Sequence, residues 1–410
     1  MERTIVGIDV GTTKICTLVG EADAESGLRI IGVGVAPARG IRKGVVVNVQ
    51  EATDAIATSI EKAERISGYQ IESAYVGLAG AHIASINSRG VVAVNRGERG
   101  IQPADVARAL DAARAIAIPH NREVLHVIPR GYMVDGDDGV RDPLGMQAYR
   151  LEVETHIITG ATSSIHNLVK CVQATGIGID ALVLEPLAAG EAALTDVERE
   201  MGVVLADVGG GTTDIAIFIE GSIWHTAVLA TGGEHITNDI AIGLRTPFTT
   251  AEELKIKYGH ARPQSIIPGE SLDVAAFGEG GQQSVARQFL AQIIEARAEE
   301  IFDLILQEIK RSGYDGLLPA GVVLCGGTAD LAGIRDLARD MLNLPVRIGA
   351  PQDLRGLVDI LGSPAYATSV GLLQWGLRHD VPRPTRVQRN GHFKLPGWLK
   401  AFLPERQAEA

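Results

Sequence analysis

The sequence predicts an α/β protein in which two similar domains face each other across a cleft, and three observations support this prediction. The chain has 410 residues, which is too long for one ordinary core. Hydrophobic residues make up 46% of the chain and aromatic residues only 4%, which favours Val, Ile and Leu sheets covered by helices of small residues. A glycine-rich strand–turn–strand motif also occurs twice, about 200 residues apart.

Charge and cysteine content exclude several classes of protein. A formal net charge of -12 argues against sequence-independent nucleic-acid binding, which needs a basic face, so we expect no nucleic-acid partner. Cys16, Cys171 and Cys325 are far apart and show no spacing typical of a zinc site or a disulfide framework. The first residues lack signal-peptide features, and no apolar run reaches the roughly 18 residues that a membrane-spanning helix needs.

The repeated motif occupies residues 6–15 and returns, with added glycine, at residues 205–215. Each copy is an apolar strand that ends in an aspartate, then a turn containing Gly-Thr-Thr, then a second apolar strand. This pattern is typical of a hairpin. Two copies predict two related domains, each of which contributes one glycine-rich turn to the same cleft.

The two turns are candidate phosphate-binding loops, because phosphate oxygens need several backbone N–H donors and small residues allow that close approach. The candidate residues are Gly11, Thr12, Thr13, Lys14, Gly209, Gly210, Gly211, Thr212 and Thr213.

Asp9 and Asp207 end the facing strands and are the candidate metal-binding carboxylates, holding Mg²⁺ partly through water. ATP and Mg²⁺ are therefore the expected cofactors. The alternative is that each Asp-Gly segment is only a tight turn, but two matched copies favour a site. Neither a P-loop nor a Rossmann glycine motif is present.

The repeat and the changes in composition divide the chain into segments. The predicted division is a first core of 1–83 with 163–195 and 362–379, an inserted subdomain at 84–162, a second core of 196–228 with 306–361, and a smaller subdomain at 229–305. Residues 182–194 and 368–376 read as small-residue helices that cross closely at a hinge. Residues 278–284 read as a loop, and 285–311 as one long amphipathic helix.

The C-terminal segment differs in character from the rest of the chain. Residues 380–392 form a polar linker with prolines, and 393–404 are predicted to form a short amphipathic helix. Its apolar stripe and the neighbouring membrane-contact candidates are Leu395, Trp398, Leu399, Phe402, Leu403, Phe393, Lys394 and Lys400. Cations dominate this segment although the whole chain is acidic, which favours binding to anionic lipids. The alternative is a helix folded back onto the core.

The two turn motifs resemble the phosphate 1 and phosphate 2 motifs of the actin/Hsp70/hexokinase superfamily. Residues 322–329, with Gly326, Gly327 and Thr328, are similar to its adenosine motif, and the small-residue helices are similar to its connecting segments. Within that superfamily the chain most resembles the FtsA family of cell-division proteins, through 31–34, 124–129 and 346–351. The resemblance covers essentially the whole chain. It implies an actin-like (ribonuclease H-like) fold in which 84–162 is the FtsA-type inserted subdomain.

The resemblance also implies roles for residues inside the cleft. Glu252 and Lys255 are expected to hold the ribose, with Gly233 nearby; the alternative for the charged pair is a solvated salt bridge one helical turn long. Glu185 is expected to position the attacking water, with Asp9 and Asp207 as the other catalytic carboxylates. The alternative for Glu185 is an ordinary helix-start carboxylate. At most a slow ATPase is expected.

Finally, the resemblance implies an ATP-binding, filament-forming protein that tethers the FtsZ ring to the cytoplasmic face of the inner membrane at the division site. The partners it implies are FtsZ, through its C-terminal peptide at 229–305, other copies of this chain, anionic lipids, and later division proteins through 84–162. Arg287 and Arg297 are the candidates for contacting the acidic peptide, and the alternative is that they are solvated helix charges. Two other functions stay open: a PilM-like adaptor of a pilus or secretion assembly, and a sugar or acetate kinase.

Overall fold

The computed structural model describes residues 3–23, 27–94, 100–275 and 281–379. The predicted linker at 380–392 and the predicted membrane helix at 393–404 lie outside the described residues. Among the described residues, no helix combines the length and the apolar character that crossing a bilayer requires.

Strands and helices are mixed along the whole described chain, as expected for an α/β fold. The strands are β1 (Arg3–Val10), β2 (Lys14–Asp23), β3 (Gly27–Pro37), β4 (Ile41–Arg42), β5 (Val45–Val46), β6 (Ser73–Leu78), β7 (Ala84–Ala93), β8 (Arg122–Val134), β9 (Asp137–Val140), β10 (Arg150–Ala161), β11 (Gly178–Leu184), β12 (Val203–Val208), β13 (Thr213–Ile219), β14 (Ser222–Leu229), β15 (Ser271–Ala275), β16 (Gln282–Ala286), β17 (Val322–Cys325), β18 (Val346–Ile348) and β19 (Arg355–Gly356). The α-helices are α1 (Val49–Ser67), α2 (Pro103–Arg114), α3 (Thr162–Ala174), α4 (Glu185–Ala193), α5 (Asp196–Met201), α6 (Gly233–Gly243), α7 (Phe248–Tyr258), α8 (Arg287–Ser312), α9 (Ile334–Leu342) and α10 (Ala367–Arg378).

The first half is built on a sheet with strand order β11-β6-β1-β2-β3-β19. Strands β1 and β2 are antiparallel, as the repeat predicts, whereas β6 runs parallel to β1. Successive residues of β1 face opposite sides of the sheet: Val6 and Ile8 pack in the cluster under α1 and α3, and Ile5 packs in the cluster with α4 and α10. A central strand buried on both faces explains why residues 5–8 read as an uninterrupted apolar run.

The second half repeats this hairpin in a sheet with strand order β14-β13-β12-β17-β18. One face of this sheet packs against α6, α8 and α9, through residues such as Ile236, Ile294 and Leu337. The other face shares a single apolar cluster with the first sheet, α4 and α10. Helices α4 and α10 therefore lie in the core that joins the two halves.

Helices α4 and α10 approach each other so closely that only glycine fits at their crossing. A Cβ on Gly371 of α10 would lie 1.8 Å from the carbonyl oxygen of Ala188 in α4. On the other side of α4, a Cβ on Gly190 would lie 2.9 Å from the ring of Phe218 in β13. The predicted close crossing of two small-residue helices is confirmed.

The predicted inserted subdomain forms a separate sheet with strand order β7-β10-β8-β9, covered on one face by α2. It contacts both halves of the protein. Toward α4, the partly buried His126 ring accepts a hydrogen bond from the Leu184 N–H at 3.2 Å. Toward the second half, His156 bonds the Thr226 hydroxyl at 2.9 Å and Ser85 donates to the Thr226 carbonyl at 2.9 Å. We call this contact between His156, Ser85 and Thr226 of β14 the polar seam.

Two predicted boundaries differ from the structure. The second core was expected to extend through residue 361, but β19 at Arg355–Gly356 pairs in parallel with β3 of the first sheet. The chain therefore returns to the first half earlier, because β3 offers an edge with unpaired backbone groups. The predicted loop at 278–284 contains the start of β16, which pairs with β15 so that Val274 and Val285 are buried.

Candidate nucleotide-binding site

A cleft of about 610 Å³ lies where the two repeated hairpins meet, and its size suits a nucleotide. Most of the predicted nucleotide and catalytic residues line it, with Gly211 and Thr213 as the exceptions among them. The predicted residues that line the cleft are Asp9, Gly11, Thr12, Thr13, Lys14, Glu185, Asp207, Gly209, Gly210, Thr212, Gly233, Glu252, Lys255, Gly326, Gly327 and Thr328.

The two glycine-rich turns touch each other at the floor of the cleft. A Cβ on Gly210 would lie 2.1 Å from the Thr13 hydroxyl oxygen, and a Cβ on Gly211 would lie 2.8 Å from Thr12. The start of α6 is also fixed against the second turn, because the Gly233 N–H donates to the Gly209 carbonyl at 2.9 Å. These contacts require small residues at the turns whether or not phosphate is bound.

Asp9 and Asp207 are the second-last residues of β1 and β12, and both are buried at the cleft. Each accepts a hydrogen bond from helix α10: the Ser369 hydroxyl donates to Asp9 Oδ2 at 2.6 Å, and the Thr368 hydroxyl donates to Asp207 Oδ2 at 2.8 Å. Burial raises the pKa of both carboxyls, and the hydroxyl hydrogen bonds partly offset that rise. For Asp207 the net result is a pKa of about 6.

Two further carboxylates complete an acidic cluster. Glu185 is the first residue of α4, and burial followed by the charges of Asp9, Asp214 and Asp207 raises its pKa well above the usual value. Burial and the charge of Asp207 raise the pKa of Asp214 to about 8. Asp214 Oδ1 is buried and, within the described part of the chain, has no hydrogen-bond partner. Buried carboxylates with raised pKa values and an unpartnered oxygen fit a site that binds a cation.

The arrangement fits a hydrated Mg²⁺ ion better than a directly ligated one. No group of three or more His, Cys, Asp or Glu side chains among the described residues is placed to hold a metal ion. Mg²⁺ keeps several of its waters and needs only one or two carboxylates when phosphates complete its shell. The predicted participation of Asp9 and Asp207 through water is consistent with this geometry.

Lys14 and the predicted ribose pair already have partners inside the protein. Lys14 Nζ donates to the Ala365 carbonyl at 2.5 Å and lies 4.2 Å above the Tyr366 ring. Lys255 forms an ion pair with Glu252 at 2.7 Å, as the salt-bridge alternative expects. Both residues of that pair nevertheless line the cleft, so the ion pair and a role near the ribose are compatible.

The two arginines proposed for peptide contact are each engaged with a different neighbour. Because the two arginines are ten residues apart on α8, their side chains point roughly 80° apart around the helix axis and do not share one face. Arg287 lines the cleft and pairs with Glu270 at 2.8 Å. Arg297 makes a two-pronged contact with Asp239 of α6, at 2.5 and 3.1 Å.

The residues of the cleft region that sequence reasoning missed include Asp214, Glu234, Thr368 and Ser369. Glu234 lines the cleft and shares a hydrogen bond with Thr13. Asp214 ends the second Gly-Thr-Thr motif and carries a charge opposite to that of Lys14 in the first copy, which was the available signal. Nothing in the sequence distinguishes Thr368 and Ser369 from other small helix residues.

A duplicated hairpin fold, crossing small-residue helices and a cleft with paired carboxylates define the actin-like class of proteins. Solved structures agree on the fold. The PilM-PilN type IV pilus biogenesis complex matches with a TM-score of 0.66 at 15% identity, over 91% of this chain and 98% of that chain. MreB 5 of Spiroplasma citri bound to AMPPNP matches with a TM-score of 0.56 at 14% identity, over 92% of this chain and 96% of that one.

Family models match two parts of the chain: the model of cell division protein FtsA at residues 204–371, and the model of the SHS2 domain inserted in FtsA at residues 80–159. Cell division protein FtsA of Pseudomonas aeruginosa is 46% identical over 92% of this chain and 90% of the relative. FtsA of Neisseria meningitidis is 41% identical over 98% of both chains. FtsA of Bacillus subtilis is 41% identical over 95% of this chain and 86% of the relative. The chain belongs to the FtsA family of cell-division proteins, which confirms the predicted resemblance, the actin-like fold and the inserted subdomain.

Proposed function

We propose that this protein binds Mg-ATP, forms filaments, tethers the FtsZ ring to the cytoplasmic face of the inner membrane and helps to recruit later division proteins. The observation that carries this proposal is the meeting of two phosphate-loop hairpins at one nucleotide-sized cleft, in a chain of the FtsA family. Family membership also favours this function over the pilus-assembly and kinase alternatives.

The residues of the cleft divide into three roles in this proposal. Backbone N–H groups of the two glycine-rich turns bind phosphate oxygens, and Asp9 and Asp207 hold the hydration shell of the cation. Glu185, deep in the cleft, orients a water molecule by accepting a hydrogen bond from it. When bound, ATP supplies the transferable phosphoryl group, and the Mg²⁺ ion supplies positive charge beside the acidic cluster and the phosphates. Because Glu185 sits among three other carboxylates, we expect hydrolysis to be slow at most.

Closure of the cleft provides the link from nucleotide to filament. Both halves pack on α4 and α10, so a ligand that contacts both phosphate loops favours one relative position of the halves. Other copies of the chain then bind a single, ordered surface, which lowers the entropy lost on assembly.

The tail provides the link from filament to membrane. Five apolar side chains of the 395–403 stripe contribute only several kcal/mol at about 25 cal/mol per Å² of buried surface, so one tail binds reversibly. Many tails on one filament bind together with a much larger effective affinity. The tail cations, including Lys394 and Lys400, favour anionic lipids.

The smaller subdomain is the proposed site for the acidic C-terminal peptide of FtsZ. Arg287 and Arg297 are already paired with Glu270 and Asp239, so a peptide carboxylate has to compete with these internal partners. We expect Arg287→Glu and Arg297→Glu to weaken peptide binding. Lys310→Glu, at an exposed position of the same helix, is the matched control for the change in charge.

Co-sedimentation with anionic liposomes tests the tether directly. The full chain is compared with a chain that ends at Asn390, each with Mg-ATP and without nucleotide. We expect pelleting to require both the tail and Mg-ATP. A full-length Trp398→Glu variant, which interrupts the apolar stripe but keeps the linker, is expected to behave like the truncated chain. Equal pelleting of the full and truncated chains would contradict the assignment of the tail as the membrane anchor. Equal pelleting with and without Mg-ATP would contradict the role of ATP.

A further inference from the structure

Helix α10 reaches both halves of the cleft with two adjacent side chains. Thr368 bonds Asp207, near the end of β12 in the second sheet, and Ser369 bonds Asp9, near the end of β1 in the first. Adjacent residues of an α-helix point about 100° apart, so one turn of helix can serve two separate carboxylates. Both hydroxyl residues are buried, at 6% and 1% exposure, so water does not readily replace these hydrogen bonds.

The two carboxylates that α10 holds repel each other when both are charged. Both carboxylates are buried and line the same cleft, where little water is present to screen their mutual repulsion. A charged carboxylate only accepts hydrogen bonds, and a hydroxyl is a suitable neutral donor. In both aspartates the hydroxyl bonds Oδ2, so neither hydroxyl occupies Oδ1.

The helix that carries the hydroxyls is itself fixed by backbone packing. On the side of α4, Gly371 lies against the Ala188 carbonyl, with no room for a Cβ. On the side of the first sheet, a Cβ on Gly7 of β1 would lie 2.9 Å from Leu372 Cβ. The hydroxyls therefore have fixed positions relative to the strand ends, because α10 cannot shift toward either neighbour without overlap.

We propose that Thr368 and Ser369 are positioning residues that hold Asp9 and Asp207 at the separation that one hydrated Mg²⁺ ion requires. This inference rests on the proposed Mg-ATP site. Without the hydroxyls, the repelling carboxylates are free to rotate away from each other. Restoring their arrangement then reduces the net binding free energy of the cation, so the cation binds more weakly.

The test measures how much free Mg²⁺ the full chain needs for ATP to raise its melting temperature. ATP is held constant, free Mg²⁺ is varied, and the midpoint of the ATP-dependent shift is recorded. Thr368→Val and Ser369→Ala each remove one hydroxyl, and we expect each to raise the Mg²⁺ midpoint about tenfold, the effect of one hydrogen bond to a charged group. Thr368→Ser keeps the hydroxyl and is expected to stay within about threefold of the unaltered chain.

Thr17→Val is the matched control, because Thr17 is a buried hydroxyl that bonds Ser59 and does not line the cleft. It should lower the melting temperature without nucleotide and leave the Mg²⁺ midpoint unchanged. If Thr368→Val does not fold, Ser369→Ala, which removes a single atom, decides the question.

The outcomes separate this inference from the proposed function. If ATP with Mg²⁺ stabilises the unaltered chain but the hydroxyl-removing variants keep its Mg²⁺ midpoint, the positioning role is wrong and the nucleotide site stands. If Thr368→Ser loses as much as Thr368→Val, the effect is one of packing, which also overturns the inference. If the unaltered chain does not respond to Mg-ATP at all, the proposed site fails and the inference falls with it.

Discussion

Replacing Gly371 with alanine sets two opposing effects against each other at the crossing of α4 and α10. The new Cβ would lie 1.8 Å from the Ala188 oxygen and 2.4 Å from its carbonyl carbon. A carbon–oxygen contact needs about 3.3 Å, so the helices have to separate by roughly 1.5 Å. Both opposing atoms belong to the backbone, so no side-chain rotation relieves the overlap.

The magnitude follows from comparing the two effects. Helix propensity alone favours alanine over glycine by about 1 kcal/mol. Overpacking a close-packed interior typically costs about 1–3 kcal/mol, and here the displaced helix also contacts both sheets. We therefore expect Gly371→Ala to lower the free energy of unfolding by about 2 kcal/mol, measured by urea denaturation followed by circular dichroism.

A matched variant isolates the helix-propensity effect. Gly243 is also a helical glycine, but the nearest atom to its added Cβ is the flexible end of the Ile293 side chain, at 2.7 Å. Gly243→Ala should therefore be neutral or stabilising. A Gly371→Ala protein as stable as the unaltered one, or more stable, would refute the close-crossing argument.

Three further predictions concern the acidic cluster and the polar seam. Glu185→Gln should reduce phosphate release at least about tenfold while retaining ATP binding, because a neutral amide is a weaker acceptor for the attacking water than a carboxylate and the change removes one repelling charge. Thr226→Val should lower the free energy of unfolding by about 1–2 kcal/mol in urea denaturation, because it leaves Nε2 of the buried His156 ring without its partner, while Nδ1 keeps its bond to Asn87. The raised pKa of Asp214, about 8, means that the folded state holds this proton after the unfolded state has lost it. Ligand-free stability should therefore fall as pH rises from about 4 to 8, by at most about 1.4 kcal/mol per pH unit from this group, and Asp214→Asn should flatten that slope in urea titrations.

Each of these predictions has a clear contrary result. Unchanged phosphate release in Glu185→Gln would remove that residue from catalysis. Thr58→Val, at an exposed hydroxyl of α1, is the control for Thr226→Val, and equal effects of the two would show that the seam adds no stability. An unchanged pH slope in Asp214→Asn would show that this carboxyl does not retain a proton in the folded protein.

The repeat made the architecture predictable, because two hairpins ending in aspartate imply two related sheets that meet at their strand ends. The same repeat made the position of Asp214 opposite Asp207 hard to predict. Matching the Gly-Thr-Thr letters aligns Asp214 with Lys14, but in the structure Asp207 pairs with Asp214 and Asp9 pairs with Cys16. Both partners follow their aspartate by the same number of residues, so the two hairpins have equal length and the two added glycines only shift the letters. Strand register depends on hydrogen bonds across the turn, which a comparison of letters does not contain.

The roles of Thr368, Ser369 and Lys14 depend on where α10 and its leading turn lie in space. Thr and Ser inside a small-residue helix usually serve packing or bond their own backbone. Only the crossing at Gly371 brings them to two different strand ends. Lys14 lines the cleft as predicted, and its Nζ also donates to the Ala365 carbonyl, more than 300 positions away in the chain. Such long-range partners follow from the tertiary arrangement and not from local pattern.

The inserted sheet is joined by its chain to the first half, rests on the start of α4 through His126, and is hydrogen-bonded to β14 of the second half through the polar seam. The first half, the inserted sheet and the second half therefore contact one another in a ring, and the cleft is one of the places where two of these parts meet. In such a ring, a movement at one contact between two parts has to be accompanied by a movement at another contact. A protein that binds the β9 edge and makes the inserted sheet more rigid would then restrict the movement of the cleft without touching it. Opening of the cleft would in turn strain the hydrogen bonds of the polar seam.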